Sequence, residues 1–183
     1  MVKIHSVIPE VLKEGLEEIL KSVPEMISSP AYQYDYYKKI LTPPEDPFIE
    51  RESLDTNIDL PQGIQKNINH FDTVNSEDIL IRGLNKLYPS YNIRVSGRHI
   101  YPPTGHLGWH TNSDCPGKRI YLTHVEESDK SYFRYIENNT QVTSYDRKGW
   151  NMREFEVGDP PLWHCVYSEI TRLSLGFHLT SNI

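Results

Sequence analysis

The chain has 183 residues, enough for one domain with a buried core. Hydrophobic residues make up 37% and aromatics 11%, which excludes wholesale disorder, and a net charge of −6 speaks against a protein that coats nucleic acid. Two cysteines, Cys115 and Cys165, exclude a disulfide scaffold, and no apolar run nears the ~20 residues that span a bilayer, so a cytoplasmic protein with no membrane partner is expected.

The first element in chain order is a helix opening near Pro9, a residue suited to a first helical turn. Ile8, Val11, Leu12, Leu16, Ile19, Leu20 and Val23 recur at helical spacing, with acidic and basic residues between them. Pro24 is expected to stop it. Residues 25–75 carry Pro30, Pro43, Pro44, Pro47 and Pro61, so an irregular cover near a substrate entrance is expected there. Tyr32, Tyr34, Tyr36 and Tyr37 alternate partly like a strand and read as packing residues. A second helix is expected from Ser76, a good N-cap, with Glu77 and Asp78 favoured by the helix dipole and an end at Pro89.

From Tyr91 the period changes to two. Strands are expected at 92–101, 105–112, 118–126, 131–138, 141–145, 150–157, 162–166 and 170–179, with Gly, Pro, Asn and Asp between them. Eight short strands with regular turn signals point to a sandwich or jelly roll. The predicted fold is mainly β (α+β), a single domain over 1–183. Residues 1–90 support and cover a β core at 91–180.

Histidine is over-represented, with eight in the chain, and the strand alternation sorts them. In Gly108-Trp109-His110-Thr111-Asn112, a strand would project His110 and Asn112 to one side. An imidazole with an oxygen donor suits a borderline first-row metal such as Fe(II), Mn(II) or Zn(II). His164 lies alone in the apolar stretch 162–166. In the segment 171–177, Thr171, Leu173, Leu175 and Phe177 share one face, and Arg172, Ser174 and Gly176 the other. An Arg and a Ser at the mouth of a barrel make a carboxylate site, although alternation alone leaves Arg172 facing either lumen or solvent.

The order H-x-N, a distal His, then R-x-S resembles the 2-oxoglutarate/Fe(II)-dependent dioxygenases, whose pattern is H-x-D/E, His and R/K-x-S on a double-stranded β-helix. Gly158-Asp159 looks like the turn that family places before the distal His, and Tyr101-Pro102 looks like the Tyr-Pro of its prolyl-hydroxylase-like members. The resemblance covers about residues 91–180. It implies a double-stranded β-helix of jelly-roll or cupin type with supporting N-terminal helices. It implies His110 and His164 as metal ligands, Arg172 and Ser174 as the grip on the far carboxylate of 2-oxoglutarate, and Tyr101, with Tyr121 as a weaker candidate, beside the cosubstrate. Fe(II), 2-oxoglutarate and O2 would be the cofactor, cosubstrate and oxidant. No separate acid or base residue is assigned.

Asn112 departs from the pattern, because a neutral amide stands where the family has a carboxylate. It could ligate directly or through water, Asp114 could swing in from the following turn, or the third protein ligand could be absent. The Tyr-Pro pair leans toward a peptide or small-molecule substrate. The acidic balance leans away from nucleic acid, although Lys118, Arg119, Lys130 and Arg134 could form a local basic patch.

Plainer roles are expected elsewhere. His5, His70, His99 and His178 read as structural, while His106 and His124 fall near the proposed site. Trp109 and Trp163 read as core anchors, Cys115 as incidental, and Cys165 points away from His164. Glu126 to Lys130 reads as a solvated turn. Two other function classes stay open: a cupin-like metalloenzyme that needs no 2-oxoglutarate, and a degenerate, non-catalytic barrel serving as a binding module.

Overall fold

The structure, a computed structural model, describes residues 1–28, 65–66, 69–70, 76–112 and 114–182. The tyrosines at 32–37 lie outside the described residues. Helix α1 spans Glu10–Ser28 and α2 spans Ser76–Leu87. Eleven strands are described: β1 Lys3–His5, β2 Gln65–Lys66, β3 Asn69–His70, β4 Tyr91–Tyr101, β5 His106–His110, β6 Gly117–Val125, β7 Ser131–Glu137, β8 Thr140–Tyr145, β9 Gly149–Val157, β10 His164–Ser168 and β11 Arg172–Ser181.

The strands form two antiparallel sheets. One runs β1-β9-β6-β11-β4-β3, the other β2-β5-β10-β7-β8. From β4 to β11 only the β7–β8 link is a hairpin within one sheet, and each of the other connections crosses to the opposite sheet. That winding is a double-stranded β-helix, the form of jelly roll that the motif resemblance implied.

Each face of the six-stranded sheet has its own partner. Leu173, Leu175, Phe177 and Leu179 of β11 point outward with Ile120 and Leu122 of β6. They pack against Leu12, Leu16 and Ile19 of α1 and Leu80 and Leu84 of α2. The helical spacing in the sequence is this apolar stripe. Gly83 lets the helices touch, since a Cβ there would lie 2.6 Å from the carbonyl oxygen of Val11. The opposite face looks into the space between the sheets, where Phe133, Tyr135, Phe155, Val157 and Val166 form an inner core. Among the described residues, no helix is long and apolar enough to cross a membrane.

Several expected boundaries move. Pro24 does not end α1, which runs on to Ser28. An interior proline removes one hydrogen bond of the ladder, and the helix continues beyond it. The strand expected at 105–112 ends at His110, and the one expected at 162–166 lies at His164–Ser168. β1, β2 and β3 were not expected. They are two or three residues long, too short to show a period, and exist through the strands they pair with.

Candidate metal and cosubstrate site

The two histidines meet through strand register. His110 and His164 are direct partners across the β5–β10 ladder, and their ring centroids lie 4.1 Å apart. The same backbone device orients both rings. Nδ1 of His110 donates to the carbonyl oxygen of Gly108 at 2.8 Å, and Nδ1 of His164 to that of Leu162 at 2.9 Å. With Nδ1 protonated, each Nε2 is the unprotonated nitrogen, the form in which imidazole binds metals. Burial lowers the pKa of His110 and, with the neighbouring His110 charge, pushes that of His164 well down. Both rings are therefore neutral at pH 7. Phe133 and Phe155 enclose His164, with ring centroids 5.2 and 5.5 Å away.

Asn112 joins them by a route the sequence did not suggest. It lies beyond the end of β5 with a φ of 55°, in the left-handed region. Asn is one of the few side-chain-bearing residues that tolerate this region well. The turn swings its amide toward the pair, and Nδ2 donates to Nε2 of His164 at 3.3 Å and to the Tyr121 hydroxyl at 3.5 Å. Asp114 lies exposed in the following turn. Among the described residues, no group of three or more His, Cys, Asp or Glu side chains is placed to hold a metal ion. The arrangement is thus two imidazoles and one amide.

The facing sheet supplies the other half. Tyr101, Tyr121 and Ser174 line one cavity of about 280 Å³ together with His110, Asn112 and His164. Gly176 also lines it, and a Cβ at that position would lie 3.0 Å from Ser96 Oγ and 3.2 Å from the Tyr121 ring. The absent side chain keeps the cavity open. Arg172 stands opposite Tyr101 in the β11–β4 ladder, with its guanidinium carbon 5.2 Å from the Tyr101 ring centroid. At 1% exposure it faces the interior, which decides between lumen and solvent.

One residue in this cluster escaped the sequence reading. Asp146 follows β8 and is fully buried. Its Oδ2 accepts from Arg172 Nε at 2.8 Å and its Oδ1 from Arg153 Nη1 at 2.6 Å, while Thr123 and Ser131 donate their hydroxyls to it. Burial alone would raise its pKa, but the charges of Arg172 and Arg153 outweigh this and hold the carboxyl well below the usual range. Arg153 also bonds Ser144 and the carbonyl of Tyr145, so both its edges are satisfied. Arg172 is not: among the described residues, its buried Nη1 and Nη2 have no hydrogen-bond partner. Two guanidiniums share one carboxylate, so the cluster is one negative charge short.

The remaining histidines sort differently. His99 lines the cavity, two residues before Tyr101 on β4, and the alternation that placed Tyr101 there could have placed it too. His106 bonds the Thr104 carbonyl at 3.3 Å, and His124 packs on Trp150 at 5.2 Å; neither lines the cavity. Trp109 is buried, as expected of a core anchor, whereas Trp163 is only partly so.

No family model matches the chain, and no curated protein does. Among solved structures, a prolyl-4-hydroxylase from Pseudomonas putida superposes with a TM-score of 0.53 at 15% identity, over 100% of this chain and 92% of that one. A prolyl hydroxylase from Trichoplax adhaerens, in complex with a hypoxia-inducible-factor oxygen-degradation-domain peptide, gives 0.47 at 11% over 96% and 94%. A 2OG-Fe(II) oxygenase family oxidoreductase from Burkholderia pseudomallei gives 0.43 at 12% over 60% and 59%. The resemblance in the motifs has a counterpart in the fold, which is similar to that of the Pseudomonas putida protein.

Proposed function

We propose that the protein is a non-haem Fe(II)- and 2-oxoglutarate-dependent oxygenase that hydroxylates a C–H bond of a peptidyl or small-molecule substrate. The observation that carries this reading is the unpaired edge of Arg172. A buried guanidinium with two orphaned nitrogens, one charge short of balance, suits the distal carboxylate of a dicarboxylic acid. It lies over the ring of Tyr101, which with Ser174 lines the cavity that holds two neutral imidazoles, a donor set fitting a borderline first-row metal.

In this reading His110 and His164 hold iron, with Asn112 as the third donor. Arg172 and Ser174 bind the far carboxylate of 2-oxoglutarate, and Tyr101 offers its hydroxyl to the cosubstrate. When bound, iron and 2-oxoglutarate supply the oxidising chemistry with O2. The chain's own residues orient and protect. Gly108 and Leu162 fix the imidazole tautomers, Asp146 holds Arg172 by its Nε edge, and Phe133 and Phe155 keep water from His164. A cytoplasmic setting fits the two free cysteines.

One observation favours a second reading. The bond from Asn112 Nδ2 to His164 Nε2 occupies the lone pair a metal would use, as expected of a non-catalytic barrel. Anaerobic titration with Fe(II) and 2-oxoglutarate separates the possibilities. A weak visible charge-transfer band that disappears in Arg172→Ala supports the oxygenase. Iron binding without a band points to a cupin-like metalloenzyme, and absence of iron binding to the binding module.

A further inference from the structure

A second cavity, of about 260 Å³, adjoins the first and shares Ser96, Asn112 and Tyr121 with it. Its other walls bring two guanidiniums together, from Arg119 on β6 and Arg94 on β4. Arg119 is only 3% exposed. Its Nη2 donates to the carbonyl oxygen of Cys115, while its buried Nη1 has no partner among the described residues. Arg94 is exposed at the rim, with Nε donating to His178 Nδ1 at 3.1 Å and Nη2 to Cys115 Sγ at 2.8 Å. His178 in turn donates its Nε2 proton to the Pro116 carbonyl at 2.9 Å, which fixes its tautomer. Cys115, read from sequence as incidental, is therefore a scaffold for both arginines.

The charges on this wall do not cancel. Arg94 and Arg119 face one carboxylate, the exposed Asp114. His178 is kept neutral, since burial lowers its pKa. A net positive pocket with a buried, unpaired donor, in a chain of net charge −6, calls for an anion.

Register separates this wall from the proposed cosubstrate grip. Along the β6–β11 ladder Arg119 stands opposite His178, and Arg172 opposite Val125. Arg119 and Val125 are thus six residues apart along β6, a backbone span of ~20 Å at ~3.4 Å per residue. Arg119 lines the second cavity, whereas Ser174, the other half of the proposed grip, lines the first. Tyr121, between them, has the histidine pair beside it.

We propose that the second cavity is the anion subsite for the substrate, in which Arg119 and Arg94 grip a free carboxylate. This rests on the oxygenase reading of the first cavity, and it narrows the substrate to a small carboxylate-bearing molecule. An internal peptide segment has no main-chain charge to offer the pair.

The test uses the full chain without iron or 2-oxoglutarate, labelled with ¹⁵N-arginine. Sodium acetate is titrated at constant ionic strength, with acetamide as the neutral isostere. The side-chain resonances of Arg119 and Arg94 are expected to move together and saturate with acetate and to stay still with acetamide. Arg119→Gln is expected to abolish the response. Because Arg119 is buried, the exposed Arg94→Ala provides a variant that leaves the core untouched, and it should weaken acetate by about tenfold. Three outcomes would overturn the proposal: no movement of either resonance, movement of Arg172 alone, or an equal response to acetamide. Inorganic phosphate binding more than about tenfold tighter than acetate would overturn the carboxylate assignment. Failure here leaves the oxygenase reading intact, and absence of the iron charge-transfer band leaves this anion site standing.

Discussion

Asp146 and Arg172 form a buried ion pair in which Asp146 Oδ2 receives only the Nε edge of the guanidinium, at 2.8 Å. The other edge is left for something the described residues do not supply. Asp146→Asn would leave Arg172 and Arg153 buried without a counter-charge. Breaking a buried pair in this way costs about 3–5 kcal/mol. The urea midpoint should fall accordingly with little change in slope, and the folded fraction should lose affinity for 2-oxoglutarate because the Arg172 head is no longer held. A midpoint equal to wild type would show that the cluster does not depend on the carboxylate.

Stability should fall in two stages as the pH drops. His110 and His164 have pKa values in the folded state below the ordinary imidazole value of about 6.5. Their contribution is complete above that pH and is lost below it, as the unfolded chain takes up protons that the folded chain refuses. Asp146 and Glu154 act lower down. The Glu154 carboxyl, although partly desolvated, is drawn down to about 2 by Lys118, Tyr88 and His5, and Asp146 is also depressed. Both support the fold above the ordinary carboxylate range of about 4 and withdraw that support as the pH falls below it. Urea midpoints measured from pH 8 to pH 3 should show both declines, and replacing His164 with Gln should flatten the upper one.

Asn112→Asp should tighten Fe(II) binding by about tenfold or more, since a carboxylate is the better ligand for a hard dication. The backbone need not change, because Asp shares with Asn a tolerance for the left-handed conformation found there. Isothermal titration with Fe(II), or with Mn(II) in air, measures it. Equal affinity in the two proteins would remove residue 112 from the ligand set.

Gly176→Val should separate the two ligands. The new side chain would enter the cavity between Ser96 Oγ and the Tyr121 ring. It is expected to abolish 2-oxoglutarate binding while iron still binds, with an overpacking cost of about 1–3 kcal/mol. Retained cosubstrate affinity would place 2-oxoglutarate elsewhere.

Legibility in the sequence followed the physics of each element. β11 could be read residue by residue, because Leu173, Leu175, Phe177 and Leu179 all meet the helices while Arg172, Ser174 and Gly176 turn inward. His110 and His164 were legible for the same reason. Asn112 was found by an argument that did not apply, since alternation requires a strand and the strand has already ended at His110. A backbone turn does the work instead. Asp146 was invisible: in Tyr145-Asp146-Arg147-Lys148-Gly149 it looks like a solvated turn residue. Its partners Arg153 and Arg172 reach it from β9 and β11, and no local period records such a meeting.

The crossing connections between the two sheets have a consequence for how the molecule comes into being. Apart from the β7–β8 hairpin, neighbours within each sheet from β4 onward are distant in sequence, so the barrel closes only when its last strand, β11, is in place. A chain emerging from the ribosome with β10 still unmade holds His110 without its counterpart, and one lacking β11 holds both imidazoles without Arg172, Ser174 and Gly176. Neither fragment therefore brings all the residues of the candidate site together. The cavity where we propose that iron binds is complete only once that last strand is in place.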